Sequence, residues 1–305
     1  MPQTPGRVDV EVRTRRESRY ALGGIGGSGK WIQLGEGDVM AVLTDKVAIV
    51  TGGGSGIGAA SASRLAQAGA SVVVVDRDEA SVREVADRLG GLAVVADVSR
   101  SDQWGVIADA AIERFGGVDL AHLNAGVSTG EPDITLLTDE QYRRAVGVNV
   151  DGVVFGIRAL VPLLRQRGGG SLVATASLAA LIGYSPDPIY GLTKSAVVGL
   201  VRALAPQLAE QHITVNAICP SLVDTNMLDE TMRGELKGSG FPLIEPETVA
   251  EAVFQCLLGE DTGQAMVIQA GREPLAYRFA RPPGPRAEGA EGKLPPAALA
   301  AHDQG

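Results

Sequence analysis

One stretch decides the fold of this chain: Val47-Ala48-Ile49-Val50-Thr51-Gly52-Gly53-Gly54-Ser55-Gly56-Ile57-Gly58. Its first five residues are an apolar run rich in β-branched side chains, which is typical of a buried parallel strand. The glycines then allow a tight turn, and Ala59 to Ala68 has the spacing of an amphipathic helix. Strand, glycine loop and helix in this order predict that a pyrophosphate binds at the helix N-terminus, where free N–H groups favour an anion. A flexible glycine linker is the alternative, and the flanking strand and helix disfavour it.

A second strand, Ser71-Val72-Val73-Val74-Val75, ends at Asp76. An acidic residue roughly 20 residues beyond such glycines is positioned to accept hydrogen bonds from the ribose hydroxyls of adenosine, and it would repel a 2′-phosphate. The stretch Gly52–Gly58 holds no Lys or Arg that would attract one, whereas Arg77 follows directly. Arg77 is either a solvated charge or a reader of that phosphate. The sequence therefore favours NAD over NADP as the cofactor.

Tyr190 and Lys194 are four residues apart in a segment with helical periodicity, so they share one face of the predicted helix. A free tyrosine has a pKa of about 10 and is a poor base at neutral pH. A nearby cation favours the phenolate and lowers that pKa. The pair therefore predicts a general acid or base. The same spacing also occurs by chance on solvated helix faces, so its weight depends on the motifs that precede it.

From about Asp45 to Ala270 the ordered set of motifs resembles the short-chain dehydrogenase/reductase family. The run from Thr51 to Gly58 is similar to the family's Thr-Gly-x-x-x-Gly-x-Gly pattern. Further matches are Asp97-Val98, Asn124-Ala125-Gly126 and the Tyr-x-x-x-Lys pair. The resemblance implies these cofactor contacts: Thr51, Gly52, Ser55, Gly56, Ile57, Gly58, Asp76, Arg77, Asp97, Val98, Asn124, Ala125, Gly126, Tyr190, Lys194, Pro220, Val223 and Thr225.

The resemblance also implies four catalytic residues, Asn149, Ser177, Tyr190 and Lys194. Tyr190 would exchange the proton of the alcohol, and Lys194 would lower the pKa of Tyr190 and hydrogen-bond the nicotinamide ribose. Ser177 would donate a hydrogen bond to the reacting oxygen, which stabilises developing charge. Asn149 would hold a water that links Lys194 to solvent. Hydride would pass directly between the substrate carbon and the nicotinamide.

Two positions depart from the family pattern. Leu123 stands where the family often has the first Asn of Asn-Asn-Ala-Gly, which affects packing beneath the cofactor. Ser221 follows Pro220 where the family commonly has Gly. The second change puts the path of the substrate loop in doubt and leaves the chemistry as it is.

Alternating strands and helices predict an α/β fold with a single Rossmann-type, doubly wound parallel sheet of about seven strands and helices on both faces. The predicted strands are Val47–Thr51, Val72–Asp76, Leu92–Ala96, Leu120–Leu123, Leu172–Ala176, Thr214–Ile218 and Ala265–Gln269. We expect this domain to span residues 45–271. Residues 1–44 are predicted to be a disordered or mis-annotated extension, with Met40 as a candidate natural start, and the Pro/Ala/Gly-rich residues 272–305 to be a tail.

Composition excludes several classes of function. A formal net charge of −9 without a basic block disfavours nucleic acid as a partner. Cys219 and Cys256 show neither redox nor metal spacing, which favours a reducing, cytoplasmic location. The three histidines are scattered, so no metal site is predicted. We expect no membrane-spanning segment and no membrane partner.

Substrate and assembly are less closely determined. The segment from Ser221 to Pro246 mixes apolar residues with glycines, which fits either a mobile lid or a surface helix whose apolar side packs on the core. Val127, Ser128 and Tyr184 are candidates to complete the pocket. An apolar secondary alcohol or ketone is the expected substrate. The long helical stretches Asp139–Gln166 and Tyr190–Gln211 are apolar on more than one side, which predicts a homo-oligomer, a tetramer or dimer.

Two alternatives to a dehydrogenase stay open at this point. A catalytically silent dinucleotide-binding sensor would keep Gly52–Gly58 but has no need for Ser177, Tyr190 and Lys194 together. An epimerase- or dehydratase-type relative would use the cofactor transiently. Such relatives usually have a larger C-terminal substrate domain, and few residues follow Gly271 to build one.

Overall fold

Residues 41–280, which the computed structural model describes, form one mixed sheet between two layers of helices. Its strands are β1 (Val47–Thr51), β2 (Ser71–Asp76), β3 (Leu92–Val95), β4 (Leu120–Leu123), β5 (Gly170–Thr175), β6 (Ile213–Pro220), β7 (Ala265–Ile268) and β8 (Leu275–Ala276). Their order is β3-β2-β1-β4-β5-β6-β7-β8. Strands β1 to β7 are parallel and β8 is antiparallel to β7. The predicted doubly wound parallel sheet is confirmed, and each of its seven strands lies within two residues of the predicted bounds.

The eighth strand was not predicted. Its residues, Leu275–Ala276, fall in the stretch 272–305 that was assigned to a tail. The amide of Tyr277 donates to the carbonyl of Ala265 over 2.8 Å. The guanidinium of Arg202 lies 3.8 Å from the ring centroid of Phe279. Part of the expected tail therefore belongs to the sheet. The expectations for residues 1–40 and 281–305 lie outside the described residues.

Helices cover both faces of the sheet. They are α1 (Gly56–Gln67), α2 (Glu79–Leu89), α3 (Gln103–Phe115), α4 (Asp139–Val146), α5 (Gly152–Gln166), α6 (Pro188–Ala209), α7 (Glu230–Gly238) and α8 (Pro246–Leu258). A π-helical turn, Gly147–Asp151, joins α4 to α5, and a short 3-10 turn, Leu178–Ala180, precedes α6. The long helix predicted over residues 139–166 is thus interrupted by one wider turn.

The core has two halves because successive side chains of a strand point to opposite faces. Ile49 packs with Trp104 and Leu160 on one face of the sheet. Its neighbour Val50 packs with Leu65 and Phe254 on the other. All six residues are at most 2% exposed. Strands covered on both faces read as continuous apolar runs, which is why the Val-rich stretches were recognisable.

A buried carboxylate, that of Asp119, ties the amino-terminal edge of the sheet together. It accepts hydrogen bonds from the Val47 amide over 3.0 Å, from Lys46 Nζ over 3.2 Å and from Arg167 Nη2 over 3.1 Å. Burial alone would raise the pKa of Asp119, but the bonds from Arg167, Val47 and Lys46 outweigh it and lower the pKa. Asp119 therefore stays ionised and joins the starts of β1 and β4 to the end of α5.

The helical stretch Asp139–Gln166 is long and apolar enough to cross a membrane by length and composition alone, and it is the one such stretch among residues 41–280. The expectation that no segment meets this criterion is therefore wrong. Core helices of soluble proteins meet it too, and in α5 the side chains of Val153, Ile157 and Leu160 are buried against the sheet. The expected lack of a membrane partner stays a prediction.

Candidate active site

The carboxyl ends of β1 and β4 lie side by side, and the order of strands reverses between them. In doubly wound sheets, ligands bind in the crevice outside such a switch point. The loops that follow β1, β4, β5 and β6, together with the start of α6, gather at this edge and carry the predicted site residues.

The loop after β1 has no room for side chains at its glycines. A Cβ on Gly58 would lie 2.0 Å from the carbonyl oxygen of Gly52, and one on Gly52 would lie 2.9 Å from the Cα of Ala125. Gly52 also has a φ of +62°, which glycine adopts readily. A Cβ on Gly54 would lie 2.3 Å from the hydroxyl oxygen of Ser81. Only glycine fits these positions, which gives the tight turn that a pyrophosphate cradle requires.

The start of α1 is open to an anion. Ser55 is its exposed N-cap residue, and the Ser55 side chain makes no capping hydrogen bond. The first turn of α1 holds no acidic residue. A Cβ on Gly56 would lie 3.0 Å from the Cγ2 methyl of Thr225, so the segment after β6 borders the same loop. The predicted contacts Gly56 and Thr225 are thus neighbours across the crevice, while Ile57 points into the core and packs beneath it.

Asp76 is linked to the glycine loop. Its carboxylate accepts a hydrogen bond from the Gly54 amide over 3.0 Å and one from the Asp78 amide over 3.1 Å. Asp76 is partly buried, whereas Arg77 is exposed. The carboxylate therefore borders the loop where the predicted ribose contact would be made, and Arg77 faces solvent.

The motif after β4 is bonded to the end of β1. Thr51 Oγ1 accepts from the amides of Asn124 over 2.9 Å and Ala125 over 3.1 Å. Asn124 Nδ2 donates to the Thr51 carbonyl over 3.1 Å and to the Gly52 carbonyl over 3.4 Å. A Cβ on Gly126 would lie 3.0 Å from Lys194 Nζ. This motif thus connects the glycine loop to Lys194.

Thr175, which no sequence motif singled out, contacts both halves of the site. Its hydroxyl donates to Asn124 Oδ1 over 3.0 Å, and its carbonyl accepts from Lys194 Nζ over 2.7 Å. His122 Nε2 contacts the same hydroxyl at 2.8 Å. Burial, reinforced by the charge of Lys194, lowers the pKa of His122 to about 3, so this imidazole is neutral and supports Thr175.

Tyr190 lies in the first turn of α6. The pKa of Tyr190 is raised to about 12, mainly by burial and further by Tyr184, Asp187 and Cys219. A side-chain hydrogen bond with Ser177 acts in the opposite direction. Ser177 follows β5 and lies beside this phenol, as predicted. The phenol of the protein by itself is therefore protonated at neutral pH.

Lys194 is 2% exposed, and burial lowers its pKa to about 8. Its Nζ lies 5.5 Å from the ring centroid of Tyr190 and donates to Thr175. Lys194 was expected to lower the pKa of Tyr190; that pKa is raised instead, because burial of the phenol outweighs the other influences on it.

Asn149 lies fully buried in the π-helical turn, a local structure frequent at functional sites. Its Oδ1 accepts from the Val127 amide over 2.8 Å. Its Nδ2 donates to the Val127 carbonyl over 2.8 Å and to Thr193 Oγ1 over 2.9 Å. The side chain thus holds the backbone at Val127 against α6. The predicted role of holding a water stays a prediction.

Asp97 and Val98 follow β3 and support the rim of the site. Asp97 Oδ1 accepts from the amide of Ser99 over 2.9 Å and from its hydroxyl over 2.7 Å. The Val98 carbonyl accepts from Trp104 Nε1 over 3.0 Å. A Cβ on Gly152 would lie 3.0 Å from the Val98 side chain, so these residues also fix the start of α5.

The segment after β6 forms the outer wall. Pro220 ends β6 and is buried, and Val223 pairs with Ile244 in an isolated parallel bridge. Arg233 of α7 contacts the Asp224 carboxylate at 2.9 Å and donates to the Thr225 carbonyl over 2.9 Å. Met227, Met232 and Phe241 remain 38–49% exposed around this wall. Of the pocket candidates, Ser128 donates its hydroxyl to Asp187 over 2.7 Å.

Comparison with known proteins agrees with this geometry. Residues 46–236 match the model of the family described as short chain dehydrogenase. The chain belongs to the short-chain dehydrogenase family. It is 36% identical over 239 residues to the cyclohexanol dehydrogenase of Acinetobacter sp., covering 74% of this chain and 94% of that protein. It is 35% identical over 198 residues to the levodione reductase of Leifsonia aquatica, covering 63% of this chain and 74% of that protein.

Among solved structures, a 3-ketoacyl-(acyl-carrier-protein) reductase from Brucella melitensis complexed with NADH superimposes with a TM-score of 0.71. The two chains share 36% identity, and the match covers 75% of this chain and 99% of the other. As a short-chain dehydrogenase, the protein has an oxidoreductase fold with a site for a nicotinamide cofactor. The tightly turned glycine loop and the open start of α1 fit that group.

Proposed function

We propose that the protein transfers hydride between NAD(H) and an apolar secondary alcohol or ketone. One observation carries the proposal: Ser177, Tyr190 and Lys194 converge beside the tightly packed glycine loop that follows β1. A nonenzymatic sensor would need the loop but not this convergence.

The cofactor would be held by the residues that border the crevice. Backbone amides at the start of α1 would bind the pyrophosphate, and Asp76 would accept hydrogen bonds from the adenosine ribose. Lys194 would donate to the nicotinamide ribose. When bound, the nicotinamide supplies or accepts the hydride.

Tyr190 supplies the proton in carbonyl reduction and removes it in alcohol oxidation. Because burial raises its pKa to about 12, the phenol is protonated at neutral pH and suited to act as an acid. Ser177 donates a hydrogen bond to the reacting oxygen and so stabilises the charge that develops on it. Asn149 and Thr175 hold the surrounding backbone and the lysine in place.

The preference for NAD over NADP is supported by Asp76. Its carboxylate is fixed by the amides of Gly54 and Asp78, so it would stay near the ribose and repel a 2′-phosphate. Arg77 is exposed and would have to turn inward to read such a phosphate.

An apolar substrate is supported by the outer wall, where Met227, Met232 and Phe241 leave apolar side chains exposed near the site. The names of two relatives point the same way, because cyclohexanol is an apolar cyclic secondary alcohol and levodione reductase is named for reducing levodione.

We also propose that the protein assembles as a homo-oligomer, a tetramer or dimer, in the cytoplasm. Along α5 and α6, Val154, Leu200 and Leu204 are only partly buried within the chain, and Leu192 is 51% exposed. Pairing of these helices with their copies would cover this apolar surface.

A panel of cyclic and linear secondary alcohols and ketones, run with NAD(H) and NADP(H) side by side, tests the proposal through the absorbance of the reduced nicotinamide. We expect turnover of at least one apolar member, with higher kcat/KM for NAD(H). Binding of NADH without turnover of any member would instead support the sensor.

A further inference from the structure

Asp187 is a buried carboxylate, 3% exposed, just before the catalytic helix. Its Oδ2 accepts from Ser128 Oγ over 2.7 Å, from the Thr129 amide over 2.7 Å and from the Gly130 amide over 3.1 Å. Its Oδ1 accepts from Thr129 Oγ1 over 2.7 Å and from the Tyr190 amide over 2.8 Å. Burial alone would raise the pKa of Asp187, but the bonds from Thr129, Ser128, Tyr190 and Gly130 lower it. The group is therefore an ionised carboxylate that five donors satisfy.

These donors belong to two different segments. Asp187 is the N-cap residue of α6, and Pro188 occupies the first helical position. The capping bond reaches the third helical residue, which is Tyr190 itself. The other four donors belong to Ser128–Gly130, which follows the cofactor motif that ends at Gly126. One carboxylate thus joins the cofactor side of the crevice to the backbone of the catalytic tyrosine.

The same loop is anchored independently one residue earlier. Asn149 holds the amide and carbonyl of Val127, both over 2.8 Å. Arg144 Nη2 donates to the Ser128 carbonyl over 3.3 Å. Removing the Asp187 carboxylate would leave these anchors in place, so the effect of a substitution should be local to the loop and to the first turn of α6.

We propose that Asp187 is a positioning residue for hydride transfer: by holding Ser128–Gly130 against the first turn of α6, it fixes Tyr190 relative to the bound substrate and cofactor. The proposal rests on the function proposed above. It assigns Asp187 no contact with substrate or cofactor.

The charge of Asp187 gives this role a signature beyond folding. Tyr190 faces Tyr184 and Asp187 from the segment before α6, Cys219 from β6 and Lys194 from its own helix. Burial, then Tyr184, Asp187 and Cys219, raise the pKa of Tyr190. Removing the negative charge at position 187 should lower that pKa, so the rise of alcohol oxidation with pH should begin at lower pH.

Two substitutions separate the parts of the role. In Asp187→Asn, the amide oxygen can replace only one of the two carboxylate oxygens. The NH2 group takes the place of the other and then faces a backbone N–H donor, either that of Tyr190 or those of Thr129 and Gly130. In Asp187→Ser, the hydroxyl can still cap α6 at Tyr190 but cannot accept the four bonds that Ser128–Gly130 donate. Asp119→Asn is the matched control, because Asp119 is also a buried carboxylate with several donors and lies at the opposite edge of the sheet.

The experiment measures kcat/KM, its pH profile and hydrogen exchange of peptides covering residues 127–137 and 187–193, each compared with wild type. Both Asp187 variants should lose roughly 10- to 100-fold in kcat/KM, since small misplacements of reacting groups have effects of this size. Hydrogen exchange should increase at residues 127–137 in Asp187→Ser, and at residues 127–137 or at Tyr190 in Asp187→Asn, depending on which side the amide oxygen serves. The pH profile of alcohol oxidation should shift to lower pH in both variants. Asp119→Asn should lower the melting temperature and leave the pH profile and the exchange of both peptides unchanged.

Wild-type kcat/KM and pH profile in folded Asp187→Ser would overturn the proposal, because a helix cap alone would then suffice. Unchanged hydrogen exchange at residues 127–137 in folded Asp187→Ser would also overturn it. If wild type converts no alcohol or ketone, the proposed function fails separately, and the exchange measurement still decides whether Asp187 holds the loop.

Discussion

Gly58→Ala should block the cofactor site while leaving most of the fold intact. The added Cβ would lie 2.0 Å from the carbonyl oxygen of Gly52, 2.7 Å from its carbonyl carbon and 2.8 Å from Asn124 Nδ2. Non-bonded carbon contacts are favourable at about 3.5 Å, so the loop and α1 must separate by about 1.5 Å.

Gly52 cannot yield easily. The Cα of Ala125 is packed behind it, 2.9 Å from where a Gly52 Cβ would lie, and Asn124 Nδ2 donates to its carbonyl over 3.4 Å. Overpacking of this kind costs about 1–3 kcal/mol in stability. A displacement of about 1 Å in a binding loop can lower activity by roughly 10²-fold.

The measurements are the Kd for NADH, from energy transfer between protein fluorescence and the nicotinamide, and the melting temperature. Gly105→Ala is the control, because Gly105 lies in α3 and a Cβ there meets nothing within 4 Å. That variant should bind NADH normally and gain about 0.5–1 kcal/mol in helix stability. If Gly58→Ala bound NADH within about twofold of wild type, a change of less than about 0.5 kcal/mol, the glycine loop would not be the cofactor cradle.

Four further outcomes are expected. Tyr190→Phe should lower kcat by roughly 10²–10⁴-fold with the Kd for NADH unchanged, and retention of more than about a tenth of wild-type kcat would show that the phenol is not the proton donor. Asp76→Asn can keep the hydrogen bond from the Gly54 amide while losing the negative charge, so it should narrow the difference in kcat/KM between NAD and NADP. A difference as large as in wild type would show that the charge of Asp76 does not cause the preference for NAD. Alcohol oxidation should accelerate with rising pH, because it needs the Tyr190 phenolate and a pKa of about 12 keeps the phenol protonated at neutral pH. Ketone reduction needs the protonated phenol and should not accelerate. An oxidation rate independent of pH contradicts this assignment. Light scattering at micromolar concentration should give the mass of a dimer or tetramer, and a stable, active monomer would refute the proposed helix pairing.

The sequence predicted those parts of the fold that depend on local pattern. The apolar run of β1, the glycines after it and the spacing of Tyr190 and Lys194 each have a short-range physical cause, and the structure has them where the pattern indicated. The strand Leu275–Ala276 was missed because two residues carry no periodicity, and only pairing with β7 makes them a strand.

Other features depend on distant neighbours and had no such signal. The hydroxyl of Thr175 is oriented by His122 and Asn124, which are remote from it in sequence. His122 lies on the neighbouring strand β4, and Asn124 follows directly after that strand. The pKa of Tyr190 was expected to fall because its cationic neighbour was visible in the sequence, whereas burial was not. Asp187 could have been found, since Asp followed by Pro is a pattern typical of a helix start.

The Asp119 cluster has a consequence for engineering this protein. It fastens β1, β4 and the end of α5 at the amino-terminal edge of the sheet, while every candidate catalytic side chain lies at or beyond the carboxyl edge. Substitutions that are too far apart to share partners act nearly additively. Substitutions that improve ion pairs or packing around Lys46 and Arg167 can therefore raise the melting temperature first. The pocket and the segment after β6 can then be altered for a new substrate, because the added stability offsets the destabilisation that an altered pocket brings.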